Sequence, residues 1–221
     1  MKRKILKVIA FCAFLFCGMS ASSQTPIYLD KSQPIEQRIE DALSRMTLQE
    51  KINIIHAQSK FSAPGVPRLG IPELWCTDGP MGVRPEVMWD EWDQAAWTND
   101  SCMAFPALSC LAATWNPRMA SLYGKSIGEE ARFRNKSVLL GPGINVYRTP
   151  LCGRNFEYMG EDPYLISHMV VPYVQGVQSN GVSACVKHFA LNNNEINRHT
   201  SNPIVCLLYT SPSPRDAHES R

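Results

Sequence analysis

Three short uncharged runs in this chain each end in a turn or in polar side chains, and that layout constrains the fold more than any other feature. Leu74-Trp75-Cys76-Thr77 runs into Asp78-Gly79-Pro80. Ser137-Val138-Leu139-Leu140 runs into Gly141-Pro142-Gly143-Ile144-Asn145. Val182-Ser183-Ala184-Cys185-Val186 runs into Lys187-His188-Phe189. Apolar runs of this length, closed by Gly, Pro or polar residues, read as buried strands. Polar groups placed just past a strand lie where α/β barrels collect their functional side chains. Leu111-Ala112-Ala113-Thr114 reads as a further strand.

Helix signals separate these runs. Asn116-Pro117 pairs a capping side chain with a first-turn proline and opens a helix to about Phe133. Asp162-Pro163 does the same for a helix whose buried face is Leu165, Ile166, Met169, Val170, Tyr173, Val174 and Val177, closed by Asn180-Gly181. Further upstream, Pro34 opens an amphipathic stretch with Ile35, Ile39, Leu43 and Met46 on one face. Thr47-Leu48-Gln49-Glu50 then reads as a capping box ahead of Ile52 and Ile55, taken as core residues. Residues 84–105, with Trp89, Trp92 and Trp97 among acids and amides, have no period and read as a long surface loop. Alternating strands and helices with short connections predict an α/β fold with a parallel sheet. About four strands can be placed, half of a closed (β/α)8 barrel. The expected class is therefore a partial TIM-type (β/α)8 barrel.

The first residues do not belong to that domain. Met1-Lys2-Arg3-Lys4 is basic, Ile5 to Cys17 is apolar apart from Lys7, and Gly18 to Ser23 supplies small residues, which together read as a cleaved secretory signal over residues 1–23. The apolar run is shorter than the roughly 20 residues a membrane span needs. The expected location is secreted or periplasmic, with no membrane partner after cleavage. The chain has 22 Lys and Arg against 20 Asp and Glu, a net charge of +2. Lys2, Arg3, Lys4 and Lys7 leave with the signal, and the charge becomes −2. No basic patch suggests nucleic acid. No Cys-x-x-Cys pair is present, so a zinc site is not expected. No other metal and no cofactor is expected either. Cys76 and Cys185 lie inside strand-like runs and read as small buried hydrophobes.

The polar residues near the strand ends are Asp78, Arg84, Asn145, Arg154, Glu157, Lys187, His188 and Arg198. They mix a few carboxylates with several fixed cations. Such a set suits a neutral polyhydroxyl ligand, because carboxylates accept from sugar hydroxyls while Lys, Arg and His donate to them. Each residue also has a plainer reading. Asp78 before Gly-Pro fits a turn cap, Arg84 fits a surface cation, Arg154 with Glu157 fits a structural ion pair, His188 fits a satisfied core histidine, and Asn192 to Asn194 fit a polar loop. The ordered recurrence after strands favours a joint functional reading.

Asp78-Gly79-Pro80-Met81-Gly82-Val83-Arg84, then Gly153-Arg154-Asn155-Phe156-Glu157-Tyr158 running into Gly160-Glu161-Asp162-Pro163, then Lys187-His188-Phe189-Ala190 through Asn193-Asn194-Glu195 to Arg198, resemble the N-terminal barrel of glycoside hydrolase family 3, from about Ile35 to Asn202. The Gly-Arg-Asn-Phe-Glu form is closer to β-glucosidase-type than to xylosidase-type members. The resemblance implies a retaining, exo-acting hydrolase of O-glycosyl bonds in a β-glucoside or oligosaccharide. It implies substrate-contact roles for Asp78, Arg84, Arg154, Lys187, His188 and Arg198, with Asp78 on sugar hydroxyls at the non-reducing-end subsite and not the nucleophile. It also implies a strained or cis peptide between Lys187 and His188. The family's nucleophile and acid/base segments are not found, so no catalytic residue is expected in this chain and the chain by itself is expected to be inactive. Residues 24–202 read as the N-terminal part of the family barrel. Residues 203–221, Pro/Ser-rich and without period, read as a tail foreign to the family, of the kind a translated cloning adapter leaves. Two alternatives stay open: a non-catalytic sugar-binding fragment, or another barrel enzyme such as a phosphate-handling aldolase, for which no glycine loop followed by Lys-Ser/Thr speaks.

Overall fold

The computed structural model describes residues 25–88, 93, 101–202 and 204. The signal reading, Trp89, Trp92 and Trp97, and the tail except Ile204 fall outside them. The described chain divides into two units, one ending at Ile52 and the other starting at Asn53.

In the first unit α1 (Ile35–Arg45) begins after Pro34 as the pattern predicts, and a 3-10 turn at Ile27–Leu29 is tied to it by the Tyr28 N–H donating to Asp41 (3.0 Å). The box at Thr47 is formed at the start of α2 (Leu48–Ile54). Glu50 N–H donates to Thr47 Oγ1 (3.2 Å), and Thr47 N–H donates to Glu50 Oε2 (2.8 Å). The expected core role of Ile52 and Ile55 is corrected, since both are exposed, as are Ile35, Ile39 and Leu43 on the apolar face of α1. Periodicity reports an apolar face and not whether anything covers it.

The second unit holds a four-stranded sheet in the order β1 (Ser62–Ala63), β2 (Leu74–Asp78), β3 (Val138–Leu140), β4 (Ser183–Ala184). β2, β3 and β4 pair in parallel, with Asp78 opposite Leu140 and Leu139 opposite Ala184. β1 pairs antiparallel with β2, so the sheet is mixed and not purely parallel as expected. The fold is α/β, and these strands form an open sheet with no closed barrel among the described residues.

Two helices cover one face. α4 (Pro117–Phe133) is capped by Asn116, which accepts from Arg118 N–H at 3.0 Å, and α5 (Pro163–Gln178) by Asp162, which accepts from Tyr164 N–H at 2.9 Å. Ala120, Tyr123, Ile127 and Ala131 of α4 meet Ile166, Met169, Tyr173 and Val177 of α5 and close over Leu139 of β3. The helices approach through glycines: a Cβ on Gly124 would lie 2.0 Å from the Tyr173 carbonyl oxygen, and one on Gly176 2.4 Å from that of Ser121. Past α5, Gly181 adopts φ +69° and ends the turn.

One strand assignment fails. Leu111 to Thr114 is not a strand, because it lies largely in α3 (Leu108–Ala113). Leu108, Leu111 and Ala112 are buried at i, i+3 and i+4, a helical period that a four-residue window is too short to reveal. Cys76 is half-buried and Cys185 exposed, so neither is the fully buried hydrophobe the runs suggested. Both sit opposite in parity to buried Thr77 and Ala184's neighbour Val182, on the sheet face the helices leave uncovered.

Candidate functional site

The carboxyl ends of β2, β3 and β4 bring the predicted residues together. Parallel pairing continues past β4 as a bridge between Lys187 and Gly143, with Lys187 N–H donating to Pro142 O (3.0 Å) and Ile144 N–H donating to Lys187 O (2.8 Å). This puts the Lys187 ammonium 2.6 Å from Asp78 Oδ1, which also accepts from Gly79 N–H at 2.9 Å. Lys187 Nζ lies 3.7 Å from Glu157 Oε2 as well. The Lys187–His188 and Phe189–Ala190 peptides are cis.

Arg154 is the hub of the other half. Its Nε is ion-paired with Glu157, its Nη1 lies 3.5 Å from Glu195 Oε1, and its Nη2 donates to His188 Nε2 at 2.9 Å. Glu157 is nearly fully buried and lies between Arg154 and Lys187. The ion-pair reading of Arg154 and Glu157 therefore holds, and the same pair joins the two halves of the cluster. Asn145, also buried, accepts from His188 N–H at 2.8 Å.

Two predicted residues are placed differently. Arg84 meets Asp78 through the backbone, its N–H donating to Asp78 O at 3.0 Å, while its guanidinium lies 5.7 Å from the centre of the Phe61 ring. Arg198 is half-exposed and joins the cluster through Glu195, at 3.3 Å. Sequence reasoning missed Tyr158 and Glu195 as members. Tyr158 is fully buried, and its hydroxyl lies 2.7 Å from His188 Nδ1. With its amide oxygen turned toward Tyr158 and Arg154, Asn192 accepts from both (2.7 and 3.1 Å) and donates to Glu195 Oε1 (3.0 Å); the reverse orientation sets its NH2 against the guanidinium, donor facing donor. Glu195 gave one signal, lying three residues before Arg198 in a polar run. Tyr158 gave none beyond adjacency to Glu157.

Three carboxylates, Asp78, Glu157 and Glu195, face three cations, Lys187, Arg154 and Arg198. A cluster balanced in this way presents hydrogen-bonding capacity without a net field, which fits a neutral ligand better than a phosphate. A cavity of about 390 Å³ is lined by Phe61, Trp75, Asp78, Arg84 and Lys136 among others. A second, of about 600 Å³, is lined by Arg148, Arg154, His188, Phe189, Asn192 and Arg198.

Burial would raise the Asp78 pKa, but the hydrogen bond and charge of Lys187 outweigh it and hold the carboxyl below its ordinary 3.8. Burial first, then the positive charges of Arg154 and Lys187, lower the His188 pKa from 6.5. Both groups bind fewer protons folded than unfolded, so both favour the fold at high pH and lose that contribution as pH falls, His188 below 6.5 and Asp78 below 3.8. The expected result is a melting temperature that declines as pH drops below 6.5, measured by circular dichroism. His188→Gln flattens the upper part of that decline. An unchanged profile in the variant contradicts the assignment.

Residues 62–206 match the glycosyl hydrolase family 3 N-terminal domain, and the chain belongs to that family. It is 69% identical over 173 residues to β-glucosidase BoGH3A of Bacteroides ovatus, covering 78% of this chain and 23% of that protein. It is 44% identical over 169 residues to thermostable β-glucosidase B of Acetivibrio thermocellus, covering 76% of this chain and 22% of that one. Among solved structures it resembles β-glucosidase 3B of Thermotoga neapolitana in complex with glucose, with a TM-score of 0.62 and 39% identity over 71% of this chain and 24% of the other. The chain thus spans about a quarter of the length of these relatives.

Proposed function

We propose that this chain is the N-terminal barrel portion of an exported, retaining, exo-acting β-glucosidase-type hydrolase, and that its own share of the work is to hold the non-reducing-end sugar. On this reading Asp78 accepts from sugar hydroxyls, Lys187 and Arg154 donate to them, and Arg198 and Arg84 border the site. The parallel strands β2, β3 and β4 are part of a (β/α)8 barrel completed by residues other than those described. A leader over residues 1–23 directs the protein to the periplasm or the medium.

One observation carries the reading: the Asp78–Lys187–Glu157–Arg154–His188 cluster at the carboxyl ends of parallel strands. Asp78 is ionised and clasped by an ammonium, and Glu157 is enclosed by two cations. These carboxylates suit hydrogen-bond acceptance and not nucleophilic attack or proton donation, which a retaining mechanism assigns to a pair about 5 Å apart across the glycosidic bond. The chain alone is therefore expected not to hydrolyse glycosides. The test compares release of nitrophenol from a nitrophenyl β-glucoside by residues 24–221 and by the same chain continued in its genomic reading frame. Turnover by the continued protein alone supports the proposal. Turnover by residues 24–221, abolished by a substitution within them, overturns the inactivity. Failure of both overturns the glucosidase reading.

A further inference from the structure

Both ring nitrogens of His188 are engaged by protein groups, and one partner dictates the other. Arg154 Nη2 sits 2.9 Å from Nε2, and a guanidinium has only donors. Nε2 must therefore accept, and the ring proton of neutral His188 must sit on Nδ1. Nδ1 lies 2.7 Å from the Tyr158 hydroxyl, with the two rings edge-on at 84°. The hydroxyl can then accept from Nδ1–H while donating to Asn192 Oδ1 at 2.7 Å, and the Asn192 NH2 donates onward to Glu195 at 3.0 Å. Every bond in this relay has a fixed direction.

We infer that Tyr158 is a positioning residue for His188: with Arg154 obliging Nε2 to accept, the Tyr158 hydroxyl supplies the acceptor that stabilises the ring proton on Nδ1. Resting on the sugar-binding reading above, the inference reverses the role expected for this histidine: Nε2 accepts a hydrogen bond from Arg154 or from a sugar hydroxyl and does not donate one. The groups facing the ring agree. Arg154 and Lys187 oppose a second proton, Glu157 and Asp78 favour one, and burial together with the cations prevails. The Tyr158 phenol, desolvated, is pushed up to about 12 and keeps its proton throughout the neutral range. Asn145 holds the His188 backbone by accepting its N–H at 2.8 Å.

The test is nitrogen-15 NMR of the full chain labelled at its five histidines, with the His188 signals assigned by their loss in His188→Gln. The expected spectrum shows His188 as Nδ1–H near neutral pH. In Tyr158→Phe, which keeps the ring and removes the acceptor, the Nε2–H form is expected to gain about tenfold or more. Asn192→Asp retains an acceptor for the Tyr158 hydroxyl and should preserve the wild-type tautomer. An Nε2–H ring in the wild type, or a tautomer unmoved in Tyr158→Phe, overturns the inference. Should Tyr158→Phe fail to fold, Asn192→Leu decides, because it frees the hydroxyl to turn its proton toward Nδ1; a tautomer ratio unmoved there also overturns it. Glucose added to the wild type separates this result from the sugar reading. Shifts in the Nε2 signal support both, whereas silence at saturating glucose, with the tautomer as expected, overturns the sugar role while supporting the positioning role of Tyr158.

Discussion

Replacing Arg154 by methionine is expected to destabilise the protein by about 3 kcal/mol, the lower end of what breaking a buried ion pair costs when one charge is left behind. The stranded charge is Glu157, whose side chain is 5% exposed and whose nearest remaining cation, Lys187, stands 3.7 Å from the other carboxylate oxygen. That residual contact is the reason for choosing the lower end. Methionine keeps the packing of the arginine stem, so the loss reports charge and hydrogen bonding rather than volume. Adding Glu157→Gln to Arg154→Met should recover more than half of the loss, since an amide has no charge to strand. Urea denaturation of the two single variants, the double variant and the parent gives the coupling directly. Additive losses in the double variant would show that the pair is not coupled.

Gly124→Ala is expected to cost about 3 kcal/mol as well, although alanine in an exposed helix would gain about 1 kcal/mol over glycine. The added Cβ would lie 2.0 Å from the Tyr173 carbonyl oxygen, and backbone cannot step aside as a side chain can. Gly128→Ala provides the graded control: its Cβ would lie 2.8 Å from the Asn180 side-chain amide and 3.0 Å from Val177, and its cost should be clearly smaller. The damage should reach the site. Tyr173 donates its buried hydroxyl to Pro80 O at 2.9 Å, just past Asp78, so spreading α4 from α5 pulls on the turn that carries that carboxylate. Denaturation midpoints check the order Gly124→Ala below Gly128→Ala below parent, and a stabilised Gly124→Ala would contradict the close helix crossing.

Much of this was legible in the residues, for identifiable reasons. Asn116-Pro117 and Asp162-Pro163 announce helix starts because a capping oxygen and a proline that needs no donor solve the same local problem. Asp78, Arg154, Lys187 and His188 converge because parallel strands carry whatever follows them to one edge of the sheet. β1 was invisible, since Ser62–Ala63 is too short to have a period and exists only through its pairing with Leu74 and Trp75. Leu111 to Thr114 looked like a strand because the burial of Leu108 on the preceding turn lay outside the window. The face of α1 and α2 shows the converse limit, an apolar pattern that stays exposed among the described residues. Tyr158 was missed because its role comes from a loop that returns some thirty residues later to place His188 and Asn192 against its hydroxyl. No local spacing encodes that return.

On the proposed reading, Asp78 and Lys187 grip a sugar at the carboxyl ends of the parallel strands. A crystal structure with glucose, grown from the chain continued in its genomic reading frame, tests it most directly. Glucose hydroxyls are expected within hydrogen-bond distance of the Asp78 carboxylate and the Lys187 ammonium, with Arg154 and His188 Nε2 beside them. Glucose bound elsewhere, with the Asp78–Lys187 pair closed and untouched, would contradict it.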